Sequence, residues 1–156
     1  ELLETCEEDV AATNGVVVMV GKKKLPYLSD KAFFIKHGYE VCDACAPNIE
    51  LLVKRFRQDA PLPRFKACAS AGLGDDVKGI DIFYTVQCPF TMPYIKLLEP
   101  VIQAASVPVR VHPITTREMA REHRAPHTTY CVFVDGKFYT REVLTPAKLQ
   151  KLLEKQ

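Results

Sequence analysis

No apolar run in these 156 residues is long enough to cross a bilayer, and no basic-then-apolar leader opens the chain. The resulting expectation is a cytoplasmic location without a membrane partner. Net charge is also small: 21 basic and 19 acidic residues leave +2, and apart from Lys22 to Lys24 the basic residues are dispersed. That balance makes no strong field, so nucleic acid is not an expected partner. No internal repeat relates one half to the other. Glu1 is not an initiator residue, so the chain is expected to be processed or to be a fragment. Six cysteines, at 6, 42, 45, 68, 88 and 131, would suffice for a disulfide framework, but they are scattered through apolar patterns, and reduced thiols suit a cytosolic chain better. A content of 47% hydrophobic and 26% charged residues is ordinary for a globular protein, and the length allows one domain or two small ones.

Local pattern divides the chain more sharply than composition does. Residues 1–13 place Leu2, Leu3, Cys6, Val10 and Ala11 on one helical face and Glu4, Glu7 and Glu8 on the other, and Asn14-Gly15 ends the helix. Val16 to Val20 is an unbroken β-branched and apolar run, which predicts a strand covered on both faces. After the lysine-rich loop, Ser29 or Asp30 can cap a helix whose apolar side is Ala32, Phe33 and Ile35, and Gly38 closes it in a left-handed turn. Tyr39 to Cys42 alternates as a half-buried strand, 44–48 reads as a turn, and Ile49 to Phe56 is open between strand and helical turn. From 59 to 79, two prolines and three glycines with little periodicity mark a linker.

Beyond that linker, Ile80 to Val86 alternates as a strand. Met92 to Ala105 has helical spacing that Pro100 can kink, and Val107 to Ile114 reads as a second strand. Thr115 with Glu118 has capping-box spacing for a helix over 115–123. Strands over 130–134 and 137–143 flank the Asp135-Gly136 turn, and Thr145 followed by Pro146 starts a last helix that turns Leu149, Leu152 and Leu153 inward. The order βαβαββα is similar to that of thioredoxin and glutaredoxin domains.

The segment from Ser29 through Ala32, Phe34 and Gly38-Tyr39 resembles the Asn-x-x-Ala-x-Tyr-x-x-x-Gly-Phe segment that closes the coenzyme A site of GNAT acetyltransferases. Lys22-Lys23-Lys24-Leu25-Pro26, Phe33-Phe34, Glu40-Val41-Cys42-Asp43, Cys88-Pro89-Phe90-Thr91 and Ala125-Pro126 extend the likeness over nearly the whole chain, to the branch that carries a YoaP-like, thioredoxin-type extension. The resemblance implies an α/β chain with the C-terminal half of a GNAT unit at 1–58, a linker at 59–79 and a thioredoxin-like domain at 80–156. It also favours a strand at 49–56. The implied reaction moves an acetyl group from acetyl-CoA to an amine, with Ser29, Phe33, Phe34 and Lys23 as the cofactor-binding candidates. The Arg/Gln-x-x-Gly-x-Gly loop that holds the coenzyme A pyrophosphate in that family is not in this sequence. An N-terminal acetyltransferase half is therefore an implied partner, and weak acetyl-CoA binding is expected of this chain alone.

Each candidate has a plainer reading. Ser29 can be a helix cap, and Lys22 to Lys24 can be a solvated loop rather than a phosphate clamp. Phe34 occupies the place where many family members have a proton-donating Tyr, and Phe donates no proton. Cys88 precedes a helix whose N–H groups would favour a thiolate, as in the glutaredoxin Cys-Pro-Tyr/Phe-Cys site. Thr91 replaces the resolving cysteine there, and the usual cis-proline position holds Tyr130, which leaves monothiol chemistry, metal capture or a structural role. Cys42 and Cys45 have redox or metal spacing, with His37 and Cys68 as further possible ligands, but one close pair does not make a zinc site, and no metal is expected. The four histidines share no spacing and read as structural or solvated. The alternatives to a transferase are a monothiol module acting through Cys88 and a noncatalytic partner-binding module.

Overall fold

The structure, a computed structural model, describes residues 1–22, 29–45 and 48–156. It divides into two compact units, Glu1–Ala71 and Gly72–Gln156. The boundary falls inside the glycine- and proline-rich stretch, which also carries a short helix, α3 (Ala67–Ala71), in the first unit.

The first unit contains α1 (Leu2–Asp9), β1 (Gly15–Gly21), α2 (Lys31–Lys36), β2 (Glu40–Cys45) and β3 (Ile49–Arg55). Among the described residues the strands form an antiparallel sheet in the order β1-β3-β2. The central strand is β3, and it is there that Leu51, Leu52 and Val53 are buried. The expectation that the 16–20 run would be covered on both faces fails: Val16, Val18 and Val20 turn to the core, while Val17 and Met19, on the other face, are each 46% exposed. An unbroken apolar run fits a doubly covered strand, but it does not by itself supply the second cover.

The faces assigned to α1 and α2 also change. Leu2 is exposed, Leu3 packs into the core cluster of Val20, Tyr39 and Leu52, and the buried residue of α1 is Glu7. Its carboxylate is drawn inward by Lys54 of β3, which pairs with it at 2.5 Å. In α2, Ala32, Phe33 and Ile35 face outward while Phe34 packs on the core. Asp30 is the cap, accepting a hydrogen bond from the Phe33 N–H at 3.0 Å, and Gly38 takes the left-handed φ of +87° expected of it.

The second unit runs β4 (Ile80–Tyr84), α4 (Thr91–Gln103), β5 (Val109–Pro113), α5 (Arg117–Glu122), β6 (Tyr130–Val134), β7 (Lys137–Thr140) and α6 (Pro146–Leu153). This is the βαβαββα order that periodicity predicts. The sheet order is β5-β4-β6-β7, with β4 parallel to β5 and antiparallel to β6. On one face Ile80, Ile82, Tyr84, Tyr130 and Val132 pack with Ile95 and Leu98 of α4 and Leu149 and Leu152 of α6. The helix α4 continues through Pro100. Asp135 and Gly136 both have positive φ, +47° and +71°, as the two-residue hairpin between β6 and β7 requires. The cap of α5 is one residue later than capping-box spacing suggests: Thr116, not Thr115, accepts the Met119 N–H at 3.2 Å.

Candidate functional site

Alternation in β4 sends Ile80, Ile82 and Tyr84 to the helix-covered face, so Asp81 and Phe83 emerge on the other. The parallel register sets Arg110 beside Asp81 and His112 beside Phe83, and the antiparallel register sets Phe133 and Cys131 on their other side. Asp81 is only 5% exposed and is gripped from one strand. Arg110 donates to both of its carboxylate oxygens at 2.7 Å, and His112 Nε2 approaches Oδ1 at 2.7 Å. Burial works to raise the Asp81 pKa, but the charge and hydrogen bonds of Arg110 and His112 outweigh it, so the carboxyl is held below its usual range.

Two imidazoles converge on the Phe83 ring. His112 stacks on it with centroids 4.5 Å apart and an interplanar angle of 18°, and His123 lies against it at 4.9 Å. His123 Nε2 is 3.1 Å from the Cys131 sulfur. Burial pushes the Cys131 thiol up to about 12, which keeps it protonated and a poor nucleophile. Above these rings is a cavity of about 300 Å³, walled by Phe83, Phe133, Ile114 and Met119, with His112 and His123 among its polar lining. Local pattern does not reveal this cluster: even Asp81 and His112, in hydrogen-bond contact, are 31 positions apart. The available signal was a matched alternation, Asp81-x-Phe83 in one strand and Arg110-x-His112 in the next.

The sequence-derived candidates of the first unit do not form one group. Ser29 is exposed and leaves the capping role to Asp30. Phe33 is on the surface, where its carbonyl meets His37 Nδ1 at 2.8 Å and its ring lies 4.4 Å from that imidazole. Phe34 points into the core and meets Tyr39 edge-on at 5.4 Å. Lys23, like Lys24, lies outside the described residues. Beneath α2, Tyr39 is 3% exposed, and burial together with the neighbouring Glu7 carboxylate pushes its phenol up to about 12. Burial would raise the Glu7 pKa, but Lys54 and Tyr39 lower it by more.

The cysteines divide as well. All six are free thiols. Burial raises the pKa of both Cys42 and Cys45, and the Cys42 S–H donates to the Leu51 carbonyl at 3.4 Å. Among the described residues there is no group of three His, Cys, Asp or Glu side chains placed to hold a metal ion. Cys88 is partly exposed in the turn before α4, and its carbonyl accepts the Thr91 N–H at 3.1 Å. Thr91 itself is fully buried.

Comparison with known proteins adds a different kind of information. Residues 108–151 match a family model described as YoaP-like. The chain is 37% identical over 154 residues to a protein of Bacillus subtilis (strain 168) named "Uncharacterized N-acetyltransferase YoaP". That similarity takes in 97% of this chain but 61% of the relative, so the chain spans less than two thirds of the relative's length. No solved structure shows a significant match. No helix among the described residues is long and apolar enough to cross a membrane.

Proposed function

We propose that this chain is the C-terminal portion of a GNAT-type N-acetyltransferase that transfers acetyl from acetyl-CoA to an amine. The observation that carries the reading is the 37% identity, spread over 97% of the chain, to a protein named as an N-acetyltransferase. In this reading residues 1–58 finish the acyltransferase unit and 80–156 are a thioredoxin-like, YoaP-like domain, with 59–79 between them. The βαβαββα order and the β5-β4-β6-β7 sheet support the second assignment. In the reaction an amine nitrogen attacks the thioester carbonyl, a C–N bond forms, the C–S bond breaks, and coenzyme A leaves as its thiol after a base has taken the ammonium proton. A backbone N–H opposite the carbonyl oxygen would stabilise the tetrahedral anion.

This chain's contribution to that chemistry is limited. Phe33 offers an apolar surface to a pantetheine arm, and Ser29 and Lys23 offer polar contacts. Phe34 supplies no proton to the departing sulfur, and no residue here is assigned as the base. Isolated, the chain is expected to bind acetyl-CoA weakly or not at all by titration calorimetry, and a micromolar affinity would overturn that expectation. The transferase reading is tested on the protein from the intact reading frame, by thiol release from acetyl-CoA against a panel of amines. Absence of amine-dependent release would refute it.

Cys88 supports a second reading, a monothiol module, because the thiol is partly exposed just ahead of a 13-residue helix. Its test is alkylation of a variant that keeps Cys88 as the sole cysteine. A rate no faster than that of free cysteine would remove this reading.

A further inference from the structure

Helical period divides the surface of α6 into two sides of unlike charge. Lys148, Lys151 and Leu152, with Lys155 in the turn beyond the helix, line one cleft with β7, whereas Gln150, Leu153 and Glu154 line another with α4. The cleft on the β7 side has a volume of about 480 Å³, and the buried Leu144 and Leu152 supply its apolar part. Strand alternation brings Tyr139 to it. Phe138 packs on the Phe133 cluster, so the next ring, 52% exposed, points the other way. Three lysines and one carboxylate line this cleft. The carboxylate, Glu142, is taken up by Lys148 at 3.0 Å, and Lys151 and Lys155 have no ion-pair partner among the described residues. Helix stability accounts for Lys151 in the last turn of α6 but not for Lys148 in the first, where the helix dipole disfavours a cation. Each ammonium group ends a flexible four-carbon stem rooted in the wall, so it can turn toward a ligand in the cleft. An excess of two positive charges matches a phosphate monoester, which is close to doubly negative at neutral pH. The exposed phenol ring beside the lysines adds a flat surface for an aromatic body.

We infer that the cleft between β7 and α6 binds a small phosphate monoester with an aromatic body, its phosphate held by Lys151 and Lys155 and its ring laid on Tyr139. The site is contained within the second unit and rests on neither the transferase nor the monothiol reading.

The test is titration of the ¹⁵N-labelled full chain with phenyl phosphate, with phenol and the diester methyl phenyl phosphate as probes that carry the same ring and less charge. Saturable shifts are expected for the amides of Tyr139, Thr140, Lys151 and Leu152 with phenyl phosphate. Binding is expected to be about fivefold weaker for the diester and at least about tenfold weaker for phenol. Lys151→Gln combined with Lys155→Gln, both on exposed positions, is expected to weaken phenyl phosphate at least about tenfold. Lys78→Gln combined with Lys96→Gln makes the same change in net charge outside the cleft and is expected to weaken it less than about twofold. Tyr139→Ser is expected to weaken phenyl phosphate several-fold. Unmoved amides of the core residues Ile80 and Val132 report that each variant is folded. The proposal is overturned by absence of saturable shifts with phenyl phosphate, by phenol or the diester binding as tightly, by equal losses from the two lysine pairs, or by Tyr139→Ser binding phenyl phosphate as tightly as the parent chain.

Discussion

Each unit buries one carboxylate against a basic residue of a neighbouring element, and the two clusters behave differently. In the first unit Glu7 meets Lys54, whose ammonium group also lies 5.9 Å from the centroid of the Tyr39 ring. The donors turn inward and the cluster ties α1 to the sheet. In the second unit Asp81 meets a guanidinium and an imidazole in one strand, and the imidazole lines a cavity. A lysine is a flexible point charge that can swing back to water, whereas the fork of Arg110 fixes the carboxylate and the carboxylate fixes a ring. The comparison separates a buried pair that only ties a helix to its sheet from one whose imidazole also lines a cavity.

The largest effect separating the clusters should come from Asp81→Ala. It leaves a guanidinium and an imidazole without their shared acceptor and is expected to cost about 3 kcal/mol in a urea melt, the low end for a broken buried pair because Arg110 retains some solvent contact. A loss no larger than that of Glu7→Ala would erase the contrast. His127 sharpens the comparison from the opposite side, as a half-buried imidazole that faces a cation, Arg141, at 3.0 Å. Burial, reinforced by Arg141, lowers its pKa to about 4, from 6.5 in the unfolded chain. Its stabilisation is therefore full above about 6.5 and is lost as the pH falls toward 4, by roughly 2 kcal/mol after allowance for partial exposure. His127→Gln should flatten that part of the stability profile, and an unchanged acid slope would contradict the assignment.

Glu7→Ala is expected to cost about 1–2 kcal/mol, less than Asp81→Ala because Lys54 can be rehydrated. Its cleaner readout is Tyr39: with the carboxylate removed, ultraviolet titration should show the phenol ionising at a lower pH than in the parent chain. The smallest effect concerns capping in the second unit. Thr116→Ala should lower stability by about 1 kcal/mol and Thr115→Ala by less than about 0.5, and the reverse order would restore the cap that spacing alone suggests.

Much of the scaffold was legible in order and type. The alternation of Ile80 to Val86, the Asp135-Gly136 turn, the Thr145-Pro146 helix start and the Gly38 helix stop are local signals, and each is found where its local chemistry predicts. The misreadings share a cause. Helical period puts Glu7 on a polar side and Phe33 on an apolar one, but it fixes only which residues share a side and not which side meets the sheet. The double cover expected at 16–20 fails for a related reason: whether anything packs on the second face of a strand depends on elements elsewhere in the chain. The Asp81 cluster went unread because i, i+2 alternation says that Asp81 and Phe83 share a face, while only a parallel register between β4 and β5 brings Arg110 and His112 onto it.

By itself the sequence determined the period of each element, the turns that separate them and the residue types available for chemistry, since those follow from backbone sterics and local hydrogen bonding. Only the tertiary structure decided that Arg110 and His112 meet on Asp81, that His112 and Phe83 line one cavity, and that burial raises the pKa of Cys42 and Cys45. Strand register is set by the packing of the whole sheet, and a shift of one residue would have sent every one of those side chains to the opposite face.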